Sequence, residues 1–468
     1  MAGLTSELVV LGAGPAGLAA AWRAARAGRS VVVLERGHAA GGMAASLDVA
    51  GVRVDHGSHR LHPATSPEVL ADLRGLLGED LQLRPRHGRL RVGASWVGFP
   101  LRPAQLAGAL PPSLVGRIAA DAVLAPLRRR RAPPASYADA LRRSLGPALY
   151  GALYGPFAEK LWGLTGDEID AEQARRRVTA DTPWKIAARV LRGARGSGQG
   201  RVFHYPRRGF GQLTEALAQA ATDAGARIEL RAEAVDVVPA ADGVVVRTAD
   251  GRAIDTAHVF STVPLPVLGR LVRPGPPAEV LAAASGLRFR AMVLVYLVLD
   301  HRPWTEFDAH YLPGPQTPAT RVSEPANYRV SADDPAGRTV LCAEVPCAPG
   351  DGVWSAGDAE LGARVADDLA RLGLPRPAPV AVVTRRLPHV YPVYDLGYAA
   401  RLAGLDAWAA SLPRVTTFGR LGLFAHDNTH HAVAMAYDAV DALGRDGALD
   451  RVAWAWARAR FAAHVVED

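Results

Sequence analysis

The residues best placed to do chemistry in this 468-residue chain stand near its start, in Gly12-Ala13-Gly14-Pro15-Ala16-Gly17 and, further on, at Glu35. Glycines at this spacing let a backbone turn sharply, approach a pyrophosphate and pack a helix against a strand. Gly12 permits the turn, Gly14 the approach and Gly17 the close packing. Amide groups at the start of the helix then meet the phosphate charge. Glu35 is positioned to accept hydrogen bonds from ribose hydroxyls. The elements that must hold these residues are legible around them. Leu8-Val9-Val10-Leu11 reads as a buried parallel strand, residues 16–27 as a helix and residues 30–34 as the next strand. Strand, helix, strand and acid fall in register, which predicts a dinucleotide-binding unit.

Composition narrows the rest. Apolar residues make up 49% of the chain and charged residues 21%, the balance of a globular enzyme with a large core. The formal net charge is +8, yet it is almost all arginine, since the only lysines are Lys160 and Lys185. Arginine spread along the whole chain reads as a compositional bias of a solvated surface, so no nucleic-acid partner is expected. The one dense cluster, Arg128-Arg129-Arg130-Arg131, follows an apolar, proline-broken stretch at 101–127. That pairing fits peripheral membrane contact through residues 101–131. No stretch reaches the roughly 18 uninterrupted apolar residues of a membrane span. Cys342 and Cys347 are too few for a disulfide framework or a structural zinc site, and their spacing is not that of a redox CxxC pair. The first strand begins within about seven residues of Met1, which leaves no room for a signal peptide and points to the cytoplasm.

Residues 100–199 read mostly as helices punctuated by proline and glycine. The chain turns extended at 203–206, forms an amphipathic helix at 211–224, and then alternates as strands at Arg227–Leu230, 235–238 and Val244–Thr248. Strands dominate 288–347, a helix covers 358–372, a strand covers 380–385, and a last long helix runs from about Asn428 to Leu443. These readings divide the chain into a nucleotide-binding unit made of 1–99, 200–270 and 380–450, a helical region at 100–199 facing substrate or membrane, a sheet-rich substrate domain at 271–379, and a C-terminal helix at 451–468. The fold class is α/β.

A second glycine pair, Gly41-Gly42, follows Glu35 and Arg36 and precedes Met43. It lets more backbone crowd the nucleotide, a feature of FAD proteins of the glutathione-reductase type rather than of NAD-only dehydrogenases. Asp55-His56-Gly57-Ser58-His59 comes next. These segments resemble the amine-oxidase and protoporphyrinogen-oxidase superfamily of flavoproteins, which includes the UDP-galactopyranose mutases. In that superfamily a DxGxH element lies against the flavin, and Asp55, Gly57 and His59 match it. The resemblance recurs in Tyr154-Gly155-Pro156-Phe157-Ala158-Glu159-Lys160-Leu161-Trp162-Gly163, in Tyr205-Pro206-Arg207-Arg208-Gly209-Phe210-Gly211, in Ser261-Thr262-Val263-Pro264, and in Gly419-Arg420-Leu421-Gly422 running into Asp427-Asn428. It implies a discontinuous Rossmann-like FAD-binding domain of the glutathione-reductase type, with an inserted helical region and an antiparallel-sheet substrate domain. The implied FAD contacts are Gly12, Gly14, Pro15, Ala16, Gly17, Glu35, Arg36, Gly41, Gly42, Met43, Gly57, Ser58, His59, Val235, Thr262, Gly419, Arg420, Asp427, Asn428 and Thr429.

The activity it implies is an FAD-dependent oxidoreductase that moves a hydride from a small organic substrate to flavin N5. The alternatives are a non-redox sugar-nucleotide mutase and a peripheral membrane flavoprotein whose FAD is structural. Asn428 or Thr429 can cap the last long helix, whose positive end would favour negative charge on a reduced flavin. His59 and His426 are candidate bases near neutral pH, with Arg420 beside them. Arg175, within Arg175-Arg176-Arg177, and Arg385 could clamp a phosphate or carboxylate, and Tyr391 and Tyr394 join them as substrate contacts. His426 and His430 are four apart but straddle the helix start without a clear carboxylate or cysteine partner, so no metal site is expected. Departures from each branch are plain. His426 stands where the mutases place an aromatic phosphate contact. No lysine follows Lys185, whereas amine oxidases hold one near flavin N5, and Met43 stands where they carry arginine.

Overall fold

A strand with no polar face needs cover on both sides, and the first strand has it. Leu8 and Val10 pack into one apolar core with Val31 and Val33, while Val9 and Leu11 pack into a second with Val32 and Leu34. The computed structural model describes residues 4–99, 108–128, 133–177 and 202–466, and it is a mixed α/β fold with two seven-stranded sheets and two small ones. In the first large sheet the order is Ala234–Pro239, Val244–Thr248, Ala253–Ser261, Leu4–Leu11, Val31–Glu35 and Arg227–Leu230. Leu4–Leu11 runs parallel to both neighbours, and Val415–Thr417 adds in parallel to Ala253–Ser261. The Pro15–Arg26 helix makes the crossover between the first two strands. Its buried alanines, Ala16, Ala19, Ala20 and Ala24, let it lie close to the sheet and to the Thr429–Asp441 helix.

The second large sheet runs Ala381–Val393, Arg288–Leu299, Thr339–Cys347, Arg321–Ser323, Ala309–Tyr311, Gly88–Val92 and Ser95–Phe99. It is antiparallel apart from the pairing of Ala309–Tyr311 with Gly88–Val92. The sequence division assigned the Gly88–Phe99 hairpin and the Ala381–Val393 strand to the nucleotide-binding unit, and both belong to this other sheet instead. Strand partners so distant leave no local mark, and each of these strands is only half-buried, so its pattern does not name the surface it joins. Cys342 and Cys347 are free thiols buried in the central Thr339–Cys347 strand.

A small hairpin, Ser46–Val49 with Val52–Asp55, lies on the second large sheet, its Val49, Val52 and Val54 packing on Met292, Leu294, Tyr296 and Val298. Asp55 ends that hairpin fully buried. Its Oδ1 accepts from the Ser46 hydroxyl at 2.6 Å and the Phe210 amide at 2.9 Å, and its Oδ2 accepts from the Tyr205 hydroxyl. Tyr296 of the second sheet donates its hydroxyl to the Asp55 carbonyl at 2.7 Å.

Among the described residues no helix is long and apolar enough to cross a membrane. The Pro112–Arg128 helix leaves Val123 78% and Leu124 46% exposed. Residues 100–107 and 129–132 of the stretch expected at a membrane, with Arg129, Arg130 and Arg131, lie outside the described residues, as does Lys185.

Two buried histidines are held neutral for visible reasons. His310 Nδ1 accepts from Arg89 Nε at 2.9 Å, leaving its proton on Nε2 beside Thr305 Oγ1 at 3.0 Å, and burial together with Arg89 lowers its pKa to about 3. His258 sits between the Gly447 carbonyl and Thr416 Oγ1, each at 2.9 Å, and burial lowers it to about 4. In the unfolded chain each ring titrates near the ordinary histidine value of about 6.5. The unfolded state therefore binds more protons as the pH falls, so this stability is fully present above about pH 6.5 and is lost below it. Thermal melts are expected to lose about 2 kcal/mol per ring between about pH 7.5 and about pH 5. A melting midpoint that stays level over that range would contradict the assignment.

Candidate active site

At the glycine loop, backbone approaches backbone wherever a side chain would otherwise stand. Gly12 has φ +100°, and a Cβ there would lie 2.6 Å from Thr262 Oγ1. A Cβ on Gly17 would lie 1.9 Å from the Gly12 carbonyl oxygen, whereas one on Gly14 would meet nothing within 4 Å. Gly14 is the cap of the Pro15–Arg26 helix, and no side chain caps its first-turn amides. Glu35 braces the loop from below, its Oε2 accepting from the Ala13 amide at 2.9 Å and its Oε1 from the Gly37 amide at 2.7 Å. Each carboxylate oxygen keeps a further lone pair for a ribose hydroxyl.

The second glycine pair lies directly on the first loop. The Gly41 amide donates to the Ala13 carbonyl at 2.7 Å, and a Cβ on Gly42 would lie 3.2 Å from Gly14 Cα. Met43 follows in a short 3-10 turn. Gly419 arrives from the far end of the chain at φ +82°, and its Cβ would lie 3.1 Å from that of Ala16. Arg36 is exposed. Val235 lies in the Ala234–Pro239 strand just after Arg231 and Ala232, whose amides donate to Gly37 and Glu35 at 2.8 and 2.9 Å. An open Gly14 face, uncapped amides and a braced acid in one place fit the pyrophosphate and ribose of a dinucleotide.

Beyond Asp55, Gly57 turns at φ +96°. The Ser58 amide donates to Glu344 Oε1 at 2.7 Å, and Arg321 bridges Glu344 and the Ser58 carbonyl at 2.8 and 3.2 Å. The Arg321–Glu344 pair comes from two strands of the second sheet, and nothing in its sequence surroundings marks it. His59 stacks on Phe210 with ring centroids 5.2 Å apart. Burial lowers the His59 pKa against the opposing pull of Asp55, so the ring is neutral at neutral pH.

A second cluster gathers around Tyr391 at the end of the Ala381–Val393 strand. The Arg177 guanidinium lies 5.0 Å from the Tyr391 ring centre and 5.4 Å from that of Trp162, and Arg420 lies 5.0 Å from Tyr391. Arg420 donates to the carbonyls of Asp427 at 3.1 Å and Val390 at 2.9 Å, which ties it into the backbone of the site. His426 is 0% exposed, packed edge-on against Trp162 and Tyr394 at 5.3 and 4.8 Å. Burial and the nearby Arg177 and Arg420 push its pKa well down, so it too is neutral. With no exposed surface, His426 stands behind the aromatic rings and supports them.

Three of the expected substrate contacts are engaged elsewhere: Arg175 and Arg385 lie apart from this cluster, and Tyr394 packs behind it. Arg175 pairs with Glu172 and donates to the Ala462 carbonyl at 2.9 Å, so Arg177, two residues on, is the arginine over the aromatic pair. Tyr394 donates its hydroxyl to the Phe424 carbonyl at 3.0 Å and stacks on Tyr398 at 4.0 Å, which makes it a packing residue. Arg385 is exposed on its strand, with His56 feeling its charge. Asn428 caps the Thr429–Asp441 helix, and its amide donates to His431 Nδ1 at 3.2 Å. His426 and His430 do not converge as a ligand pair. His431 and His464 instead flank Asp427; His431 is its neighbour four residues on, whereas nothing in the local spacing reveals His464.

The profile of the flavin-containing amine oxidoreductases matches residues 15–441, and the chain belongs to that family. It is an FAD-dependent enzyme of the oxidoreductase class. Its fold is similar to that of a reduced UDP-galactopyranose mutase, with TM-score 0.81 and 20% identity over 99% of this chain and 100% of that one. It is also similar to a protoporphyrinogen oxidase-like protein from Exiguobacterium sp. 255-15, with TM-score 0.71 and 22% identity over 94% and 99% of the two chains. A putrescine oxidase with bound putrescine superimposes with TM-score 0.64 and 18% identity over 94% and 98%. A 77-residue segment, 16% of this chain, is 43% identical to a phytoene dehydrogenase of Streptomyces griseus and spans 15% of that protein.

Replacing Gly17 by Ala forces a methyl group into the Gly12 carbonyl. The Gly17→Ala protein is expected to bind FAD at least about tenfold more weakly, a loss of about 1.4 kcal/mol or more. The ratio of flavin to protein absorbance after purification measures it, and a variant that keeps its full complement of FAD would overturn the packing argument.

Proposed function

We propose that the chain oxidises a small organic substrate carrying an anionic group, held between Arg177, Tyr391 and Arg420. The observation that carries this reading is the convergence of two guanidiniums on one tyrosine ring, beside the segment that runs through Gly419 to Thr429. We read the parallel sheet and its crossover helix as a discontinuous Rossmann-like unit of the glutathione-reductase type. Gly12, Gly14, Pro15, Ala16, Gly17, Glu35, Gly41 and Gly42 would hold the adenosine and pyrophosphate half of FAD. Gly57, Ser58, His59, Asp427, Asn428 and Thr429 would border the flavin half. FAD supplies a hydride acceptor when bound.

The chain's own residues supply the rest. Arg177 and Arg420 attract and orient the anion, and Tyr391 stacks against its apolar part with the buried Trp162 behind it. His59, neutral and partly open, can take up a proton at neutral pH but cannot donate one there as an acid. The amides at the start of the Thr429–Asp441 helix favour negative charge on the cofactor edge they face. Glu344 and Arg321 fix the Ser58 turn so that His59 stays on Phe210.

A second reading, the non-redox rearrangement of a sugar nucleotide, is favoured by the same arginine pair, which suits a diphosphate. One anaerobic experiment separates them. If the flavin bleaches on adding a candidate anionic substrate alone, the oxidation is supported. Turnover only after dithionite reduction, with no net redox change, supports the rearrangement instead. In either case Arg177→Ala is expected to raise KM about ten- to a hundredfold with kcat little changed, the loss of one charge-assisted contact. A colourless protein that FAD does not reconstitute would sink both readings.

A further inference from the structure

Near the start of the Thr429–Asp441 helix, Asp427 and His431, four residues apart, meet His464 from much further along the chain. Asp427 Oδ1 lies 2.8 Å from His464 Nδ1 and 3.5 Å from His431 Nδ1, and donor atoms of all three fall within 4.8 Å of one another. Around a tetrahedral ion with bonds of about 2.0–2.1 Å, neighbouring donors stand about 3.3–3.4 Å apart. The two measured edges straddle that spacing.

The carboxylate itself asks for a cation. The Asp427 side chain is 0% exposed, and its second oxygen, Oδ2, is buried with no hydrogen-bond partner among the described residues. Its side-chain neighbours at ion-pair distance among those residues are the two imidazoles, while Arg420 lies further off and bonds the Asp427 backbone carbonyl at 3.1 Å. A buried carboxylate is stable when both of its oxygens are paired or hydrogen-bonded, and here Oδ1 has His464 while Oδ2 has no partner among the described residues. Next to it, His430 lies with its ring centre 4.1 Å from that of His431, and its Nδ1 is likewise buried and unpartnered.

We propose that Asp427, His431 and His464 bind one divalent transition-metal ion of the zinc type, with His430 or a water completing the shell. The donor set, two imidazoles and one carboxylate, suits Zn²⁺ and its first-row neighbours rather than Ca²⁺ or Mg²⁺. Coordination has a visible cost. His431 and His464 are stacked with centroids 4.1 Å apart and planes 14° from parallel, so at least one ring must turn. His431 Nδ1 also leaves the Asn428 amide. In return the ion joins the C-terminal tail to the helix start. Two residues beyond His464, the Val466 amide already donates to the Arg176 carbonyl at 2.8 Å, on the helix that carries Arg177.

The test uses tag-free holoenzyme stripped by a chelator, titrated with Zn²⁺ by calorimetry and with Co²⁺ by visible absorption. One equivalent is expected to bind at micromolar Kd or tighter, and Co²⁺ to give the ligand-field bands of a four-coordinate nitrogen–oxygen site. His464→Ala and His431→Ala, checked for unchanged flavin content, are each expected to weaken binding about a hundredfold or more. No binding by the wild-type enzyme overturns the site, as does weak binding of several equivalents or binding that both variants retain. The wild-type titration and Co²⁺ spectrum decide the matter even if a variant fails to fold.

Discussion

The buried Asp55 carboxylate is the constraint on which the rest of the structure depends. It closes the small hairpin, accepts from Tyr205 on the strand that follows the helical region, and accepts from the amide that begins the Gly211–Asp223 helix. Its own carbonyl takes the Tyr296 hydroxyl from the second sheet. Four parts of the chain therefore share one residue. A carboxylate out of water is tolerated only while its hydrogen bonds are all made, and leaving one donor or acceptor unsatisfied costs about 1–3 kcal/mol. The neighbouring parts cannot shift independently without breaking that set. The Gly57 turn and the His59 ring follow directly from the same residue, so this junction also fixes the edge of the site.

The glycine loop works by a different rule, steric rather than electrostatic. Gly12, Gly42 and Gly419 each stand where a Cβ would strike or crowd another segment, and Gly17 where it would strike the start of its own loop. The small alanines of the Pro15–Arg26 helix extend this closeness to the Thr429–Asp441 helix. Thus one cradle is made by pieces separated by almost the whole chain, held together by missing atoms. The aromatic cluster at Tyr391 is the opposite case. There, large rings and guanidiniums fill the space, and His426 gives up its access to solvent to support them.

What the sequence made legible was whatever is enforced locally. The loop from Gly12 to Gly17, Glu35, the second glycine pair and the DxGxH turn announce themselves because each needs fixed residue types at fixed spacing. Asn428 as a helix cap belongs with them. Hidden in the sequence was anything set by distant partners. Arg175 and Arg177 are indistinguishable in a run of three arginines until a helix and its neighbours turn one toward Glu172 and the other toward Tyr391. Tyr394 reads as a ligand contact until Tyr398 is seen lying flat against it. The edge strands at 88–99 and 381–393 carry no sign of which sheet they will join. The meeting of Asp427 with His464 needs the tail to fold back over 37 residues.

The contact of Gly419 with Ala16 sets a timetable for the newborn protein. The first strand, helix and second strand leave the ribosome well before the segment that completes their loop, which lies about 400 residues further along the chain. At a synthesis rate of about 5–20 residues per second, the early unit waits on the order of a minute for its counterpart. During that interval the apolar side of the Pro15–Arg26 helix lacks the late helix that covers it. A chain cut short before residue 419 would keep that surface bare, so the family's colour, when it develops, is also a certificate that translation passed that segment.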